Sequence, residues 1–503
     1  MDENSYDLII VGGGVAATHT LLALLDETQG HSLRIAIIEK STDLWRGVPY
    51  GERSSINSLT ITDLDEFLPP VEREAFYDWL SINWERLARR IRDEGGAIGG
   101  AWLERHVQDI GVRAWGQLYI PRRFYGDFLS DKTRRKLEQS SAVIETLQGT
   151  VQTIIRSGDL FTLRVAQSDG QKNLTCDRIL LAVGSPPVGR IGDRHHEAAP
   201  LIEDLYESSL QENLVTITRA LERMPEGRRH LFVLGSNATS LELAYMINWS
   251  PALRRVLEHI VVLSSGGRWP ARIHPSDNVG STQALDALDG RLALKASEIF
   301  EASSRDIARL VASSSHQGCD FSAVAERLAQ ILGEADEAEA RRFHHFFGMR
   351  FTRLIRRAGA DYRDAAQALI DDGKMEVRAG WLESLSCEAE GLVPQATGPD
   401  GAKLELGAPF AAVVNCSGFE GLSQTSHPLL SGMLDSGLVR INAAQRGIEV
   451  DEDFRAAKNI FVTGPLLAGV FHSKARYWHV ENVRRIAELA PQVAKSIARD
   501  MGL

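Results

Sequence analysis

The chain has 503 residues, 56 basic and 67 acidic, for a net charge of −11. Such a length holds two or three domains with a large core, and 44% hydrophobic with 24% charged residues is ordinary for a soluble globular protein. The acidic balance argues against nucleic acid or an anionic membrane surface as the main partner.

The leader Met1-Asp2-Glu3-Asn4 is acidic where a secretory signal would be basic, which predicts a cytoplasmic protein. Asp7 and Asp26 bracket an uncharged stretch, but a glycine turn in its middle argues against a membrane span. That turn is the most informative segment. Leu8-Ile9-Ile10-Val11 predicts a buried strand, Gly12-Gly13-Gly14-Val15-Ala16-Ala17 a tight turn into a helix, and Ile35-Ala36-Ile37-Ile38 a second strand closed by Glu39. Gly12 allows the turn, Gly14 lets backbone approach a pyrophosphate, and Ala17 lets helix and strand pack closely. Gly13 and Ala16 complete the turn, and the helix start offers free N–H groups to phosphate. Glu39 stands where a carboxylate accepts ribose hydroxyls.

A loop Trp45-Arg46-Gly47-Val48-Pro49-Tyr50-Gly51 precedes Ile56-Asn57. A helix is predicted over Ala75 to Asp93, with a Gly-rich break after it at Gly95-Gly96 and Gly99-Gly100. The segment Pro121-Arg122-Arg123-Phe124-Tyr125-Gly126 comes next, then strands near 149–156 and 160–165, and a buried strand ending at Gly184. A second strand-turn-helix starts at Leu231. Its turn is Gly235-Ser236-Asn237-Ala238-Thr239-Ser240, and its second strand runs to Leu263. Here Asn237 replaces the central glycine. Asn tolerates left-handed backbone, yet its side chain would crowd a pyrophosphate. Ser264, Ser265 and Arg268 follow in place of an acid, a set suited to a 2′-phosphate. Residues 284–372 read as helical, with Val324, Leu328, Ile331 and Leu332 on one face. Strands return at 375–378, 411–418 and 459–465, before a long final helix.

Cys176, Cys319, Cys387 and Cys416 are far apart, which predicts buried small hydrophobes and no dithiol. The histidines, including the pairs His195-His196 and His344-His345, lack zinc spacing, so no metal is expected.

These segments resemble the bacterial FAD-NAD(P)-binding oxidoreductases, flavoproteins with two dinucleotide-binding domains. That family shows a glycine fingerprint, a Gly-x-Gly-x-x-Tyr-Gly loop, a Leu-Asn segment and a Pro-Arg-x-x-Tyr-Gly segment. Here Trp45 stands where the loop has its first glycine and Ile56 where the family has leucine. Similar segments occur in amino-acid N-hydroxylases. The resemblance implies an α/β, Rossmann-type fold with a helical insert. It implies FAD held by Gly12, Gly14 and Glu39, with Val151 offering backbone to the adenine. Gly184 and Gly418 would end strands at crossings between domains, and Gly464 would put an N–H near the flavin's chain. Arg46 belongs to the cofactor loop. Asn57 and Arg122 are candidates to line the flavin, with a structural ion pair as the other reading of Arg122. His472 is a further candidate near the ring, or else a hydrogen-bonded turn residue. The expected organisation is 1–200 and 375–503 as two parts of the FAD-binding domain, 201–280 as the NAD(P)H-type domain, and 281–374 as a helical insert on the substrate side.

The implied activity is an FAD- and NADPH-dependent monooxygenase, hydroxylating a small molecule with dioxygen through a flavin hydroperoxide. Alternatives stay open: a flavin dehydrogenase or oxidase without oxygen insertion, flavin reduced by an external reductase if Asn237 blocks NADPH, and a non-catalytic FAD-binding protein. The sequence assigns no catalytic residue.

Overall fold

The computed structural model describes residues 4–192, 199–273, 281–291, 293–313, 320–407 and 409–503, so Cys319, His195 and His196 lie outside the described residues. β1 (Ser5–Val11) turns directly into α1 (Val15–Glu27), and β2 (Arg34–Glu39) returns parallel to β1, with Leu8 opposite Ile35 and Val11 opposite Ile38. Leu8, Ile9 and Ile10 are fully buried, as a parallel strand covered on both faces requires.

The helix predicted from Ala75 is longer, spanning Pro70–Arg105. It is two helices joined at Gly96, whose φ of 55° and ψ of −138° suit glycine alone. The helix Arg123–Glu138 leads to β3 (Val143–Gln148), which extends the sheet beyond β2. The sequence reading does not contain β3, because an edge strand with polar Glu145, Thr146 and Gln148 lacks the apolar run of its neighbours. β4 (Thr150–Ser157), β5 (Leu160–Gln167) and β6 (Gly170–Leu181) form a meander, and β6 pairs parallel with β1.

β7 (Leu201–Ile202), β8 (His230–Leu234) and β9 (His259–Ser264) begin a second sheet, with β8 feeding the helix Ala238–Trp249. β10 (Ala271–Arg272) pairs with β11 (Arg357–Ala358), and the helical insert lies between them in the chain. That insert has its own core of Ile299, Leu310, Phe343 and Phe351 with the predicted face Val324, Leu328 and Ile331, and Leu332 is half-buried against it. Trp478 also packs into it from outside the insert.

The boundary expected at residue 375 is corrected. β12 (Met375–Ala379) pairs with β9; β13 (Trp381–Glu388) and β14 (Gly391–Thr397) make a hairpin; β15 (Ala412–Asn415) pairs with β8 and β7. The second sheet therefore runs β12-β9-β8-β15-β7. It needs these late strands because β8 and β9 are apolar central strands that must be hydrogen-bonded on both sides. The chain rejoins the first sheet only at β16 (Arg455–Ala457) and β17 (Ile460–Val462), giving the order β16-β17-β6-β1-β2-β3. A hairpin of β18 (Val470–Phe471) and β19 (Arg476–Tyr477) precedes the final helix Val483–Asp500, which packs along α1 and buries Val483, Ile486, Val493 and Ile497. Cys176 and Cys416 are buried as expected. Cys387 is exposed, a correction that follows from its place on the open face of the β13–β14 hairpin. Among the described residues, no helix is long and apolar enough to cross a membrane.

Candidate functional site

Two turns of the same design stand at the C-terminal ends of the two sheets. Gly12 has φ +102°, donates its N–H to Ile38 O at 2.8 Å, and a Cβ there would lie 2.4 Å from Ala182 O. Gly235 also has φ +102°, donates to Leu263 O at 2.7 Å, and a Cβ would lie 2.2 Å from Cys416 O. Only glycine fits either position.

The first turn is open to an anion. Gly14 caps α1 without a side chain, leaving the first helical N–H groups free of any side-chain cap. Glu39 accepts from Gly13 N at 2.7 Å and Ser41 N at 3.0 Å, which fixes its carboxylate beside the turn. Gly149 N donates to Glu39 O at 2.9 Å, bringing Val151 of β4 to the same corner. Ala16 and Ala17 are buried, and a Cβ on Gly464 (φ +73°) would lie 2.6 Å from the Ala16 Cβ. Gly12, Gly13, Gly14, Ala16, Ala17, Glu39, Val151 and Gly464 therefore converge, and their geometry fits a dinucleotide.

The covering loop departs from expectation in its chemistry. Gly47 Cα lies 3.4 Å from where a Gly14 Cβ would be. Trp45 takes φ +76°, the left-handed backbone that glycine adopts freely. It is held there by its N–H to Gly13 O at 2.7 Å and by Thr18 Oγ1 donating to Trp45 O. Arg46 pairs with Asp127 at 3.1 Å and donates to Ser130, so it anchors the loop to the helix Arg123–Glu138.

The second turn is closed by its own side chains. Asn237 is extended, with φ −111°, so its left-handed tolerance is not used. Its Oδ1 accepts from Thr239 N and its Nδ2 donates to Cys416 O at 2.6 Å. Ser240 completes a capping box with the Asn237 backbone. Ser264 ends β9 as Glu39 ends β2, and its hydroxyl accepts from Ser236 Oγ at 2.9 Å. Arg268 accepts at its carbonyl from Ser236, and its side chain is exposed beside this turn.

Between the two units, Asn57 is buried and donates to Gly95 O at the kink of the long helix. Arg122 makes the ion pair rather than a free flavin-side cation: it meets Glu242 at 3.0 Å. Ser58 Oγ and Tyr206 OH also donate to Glu242, which is 1% exposed. Burial is the largest single influence and opposes the Arg122 charge, but Glu242, Tyr206 and Tyr362 together outweigh it and raise its pKa. Sequence reasoning missed Glu242. A lone carboxylate inside Leu241-Glu242-Leu243-Ala244 was the available signal. Gly184 (φ +83°) and Gly418 (φ +109°) follow β6 and β15, and Gly189 N donates to Gly418 O, so both crossings lie side by side. His472 sits in the β18–β19 hairpin turn, where Nδ1 accepts from Lys474 and Ala475 N–H and its ring packs on Phe454. A separate groove of about 580 Å³ is lined by Arg105, His106, Trp249 and Asp361, and no residue of either glycine turn lines it.

A family model described as FAD-NAD(P)-binding matches residues 9–186. An uncharacterized protein of Mycobacterium tuberculosis is 33% identical over 98% of this chain and 95% of its own length, as is one of Mycobacterium bovis. The ornithine N-hydroxylase of Kutzneria sp. 744, solved with reduced FAD, NADP+ and L-ornithine, matches with a TM-score of 0.57 at 14% identity, over 98% of this chain and 99% of that one. The cadaverine monooxygenase of Erwinia amylovora matches with a TM-score of 0.57 at 12% identity, over 98% and 94%. The L-lysine 6-monooxygenase of Pseudomonas syringae matches with a TM-score of 0.51 at 15% identity, over 98% and 99%. Such identities make the likeness one of fold. The family model makes residues 9–186 an FAD-NAD(P)-binding domain, and over its whole length the chain belongs to one family with the mycobacterial proteins.

Proposed function

We propose that this chain is an FAD- and NADPH-dependent monooxygenase acting on a small molecule. The observation that carries the reading is the pair of like-built turns, one open and one self-capped, at the ends of two sheets joined by side-by-side crossings. FAD held here would supply two-electron chemistry between the nicotinamide and dioxygen, with one oxygen atom going to the substrate and the other to water.

The chain's residues bind and orient. The free N–H groups of α1 would hold the FAD pyrophosphate and Glu39 the ribose, with Gly464 allowing close approach beside Ala16. Ser264 in the place of an acid, with the exposed Arg268, favours the 2′-phosphate of NADPH over a bare ribose. Asn237 folds back onto Cys416 O and takes the Thr239 N–H for its own cap, so a nucleotide at this turn competes with that cap. Oxygen as the electron exit is supported by the whole-length likeness to amine hydroxylases. It is also supported by the described cysteines, none of which is in a disulfide, with Cys176 and Cys416 buried.

The test is anaerobic mixing of FAD-loaded protein with NADPH while following the flavin absorption band, then admission of labelled dioxygen. Bleaching by NADPH and one labelled atom in a product support the reading. Bleaching with peroxide as the sole oxygen product, across substrates, replaces it with an oxidase. No bleaching, with candidate substrates present, removes NADPH as the reductant.

A further inference from the structure

The glycine turn is not the only feature that the two units share. In the first unit, Gln148 at the end of β3 pairs with Glu39 at the end of β2. Gly149 N then donates to Glu39 O at 2.9 Å, and β4 begins at Thr150. In the second unit, Ala379 at the end of β12 pairs with Ser264 at the end of β9. Gly380 N donates to Ser264 O at 3.0 Å, and β13 begins at Trp381.

The two hairpins continue alike. β4 and β13 each have 8 residues. A Cβ on Gly149 would lie 2.9 Å from Ala166 O, and one on Gly380 would lie 2.5 Å from Thr397 O. Ala166 and Thr397 are the cross-strand partners of Thr150 and Trp381. The register slips at the same step in both, between Val151 and Thr153 and between Leu382 and Ser384. Val151 and Ile154 are the covered residues of β4, as Leu382 and Leu385 are of β13. A slip in register re-aims every side chain beyond it, so a shared slip aligns the hairpins residue by residue. Trp381 stands in the place of Thr150, and Leu382 in the place of Val151.

That place is the corner of the unit. In the first unit it holds Glu39 and Val151. In the second, the turn after β9 folds against it: Gly267 N donates to Ser264 O at 3.1 Å, and a Cβ on Gly267 would lie 2.7 Å from the Ala379 Cβ. Ser264, Arg268 and Trp381 therefore border one corner. Trp381 is 50% exposed, and among the described residues it is the sole exposed tryptophan. A single apolar side chain in solvent is ordinary on a protein surface; its position carries the argument. An indole there offers a wide flat face to a base.

We propose that Trp381 is the platform on which the adenine ring of the nicotinamide nucleotide stacks, with Ser264 and Arg268 beside it at the 2′-phosphate. This inference rests on the reading of the second unit as the NADPH site. It also gives that unit a compensation for Asn237: affinity lost to the self-capped turn is supplied at the adenine end.

The test is calorimetric titration of the FAD-loaded protein with adenosine 5′-phosphate and adenosine 2′,5′-bisphosphate, with flavin content and reduction by NADPH followed alongside. Trp381→Ala is expected to weaken both ligands by about tenfold. Trp381→Phe should restore most of that loss, and Arg268→Ala should weaken the bisphosphate alone. The bisphosphate should quench the tryptophan emission of the native protein, and Trp381→Phe should lose that quenching while keeping native flavin content and melting temperature. Affinity and quenching unchanged in Trp381→Ala overturn the proposal and leave the NADPH reading in place. So does a changed oligomeric state with affinity kept, which would assign the indole to a contact between copies. Bisphosphate binding that depends on Trp381, without flavin reduction by NADPH, keeps the platform and removes NADPH as the reductant. No binding of either ligand to the native protein overturns both.

Discussion

Gly12 and Asn237 occupy corresponding turns and have opposite effects on an incoming phosphate. A Cβ at residue 12 would meet Ala182 O at 2.4 Å in a backbone conformation that L-residues rarely adopt. Gly12→Ala should therefore lose most bound flavin, read as the ratio of flavin to protein absorbance in the purified protein, while a variant retaining full flavin would refute the assignment of this turn. Asn237 instead uses the Thr239 N–H for its own cap. Replacing an Asn cap by glycine costs only a few tenths of a kcal/mol, roughly, in helix stability, and it returns that N–H to the ligand. Asn237→Gly is expected to tighten NADPH binding severalfold in a fluorescence titration, with little change in melting temperature. Unchanged affinity would mean that the cap does not compete with the pyrophosphate.

His19 lies in the contact between α1 and the helix Arg123–Glu138, with Nε2 2.7 Å from Tyr125 OH. Burial lowers its pKa from 6.5 to about 4. The folded chain thus refuses a proton that the unfolded chain accepts between these values. The resulting stability is present above pH 6.5 and is lost as pH falls toward 4, by about 2 kcal/mol at pH 5. Urea denaturation at pH 7.5 and pH 5 should show that loss, and His19→Gln should remove about that share of it; an equal pH dependence in the variant would sink the assignment. His344, lowered to about 3, acts in the same direction. The sequence did not mark His19, and it showed His344 only as half of an adjacent pair, because their burial comes from distant elements. What was legible were the elements whose pattern is local: Leu8–Val11 as a continuous apolar run, the glycine turns, and the Val324–Ile331 face. The sheet membership of β12 and β15 was not, because an apolar strand carries no mark of its partner, and only pairing with β9 and β8 assigns it. The kink at Gly96 was visible as a glycine pair, but the helix beyond it was not, since Gly99 and Gly100 read as further breakers.

The two units are joined through a buried charge. Arg122 is tied to the first unit by its N–H to Ser58 O, while Glu242 rides on the helix that follows the second turn. Removing one partner leaves the other buried without compensation, a loss of about 3–5 kcal/mol. Replacing both by apolar side chains of similar size is far milder. Arg122→Met is therefore expected to lower the urea midpoint strongly, and Arg122→Met/Glu242→Leu to recover most of it. Flavin content separates this latch from a direct contact with the cofactor. The guanidinium is engaged by Glu242 and stacks 5.3 Å from the Tyr206 ring centroid, so the double variant should keep its flavin. Its reduction by NADPH should slow, because the turn proposed to hold the nicotinamide nucleotide would no longer be pinned to the unit proposed to hold the flavin. A double variant that is stable and flavin-free would instead put Arg122 against the cofactor. One that is stable, flavin-loaded and reduced at the native rate would show that the buried pair stabilises the fold without setting the geometry of electron transfer.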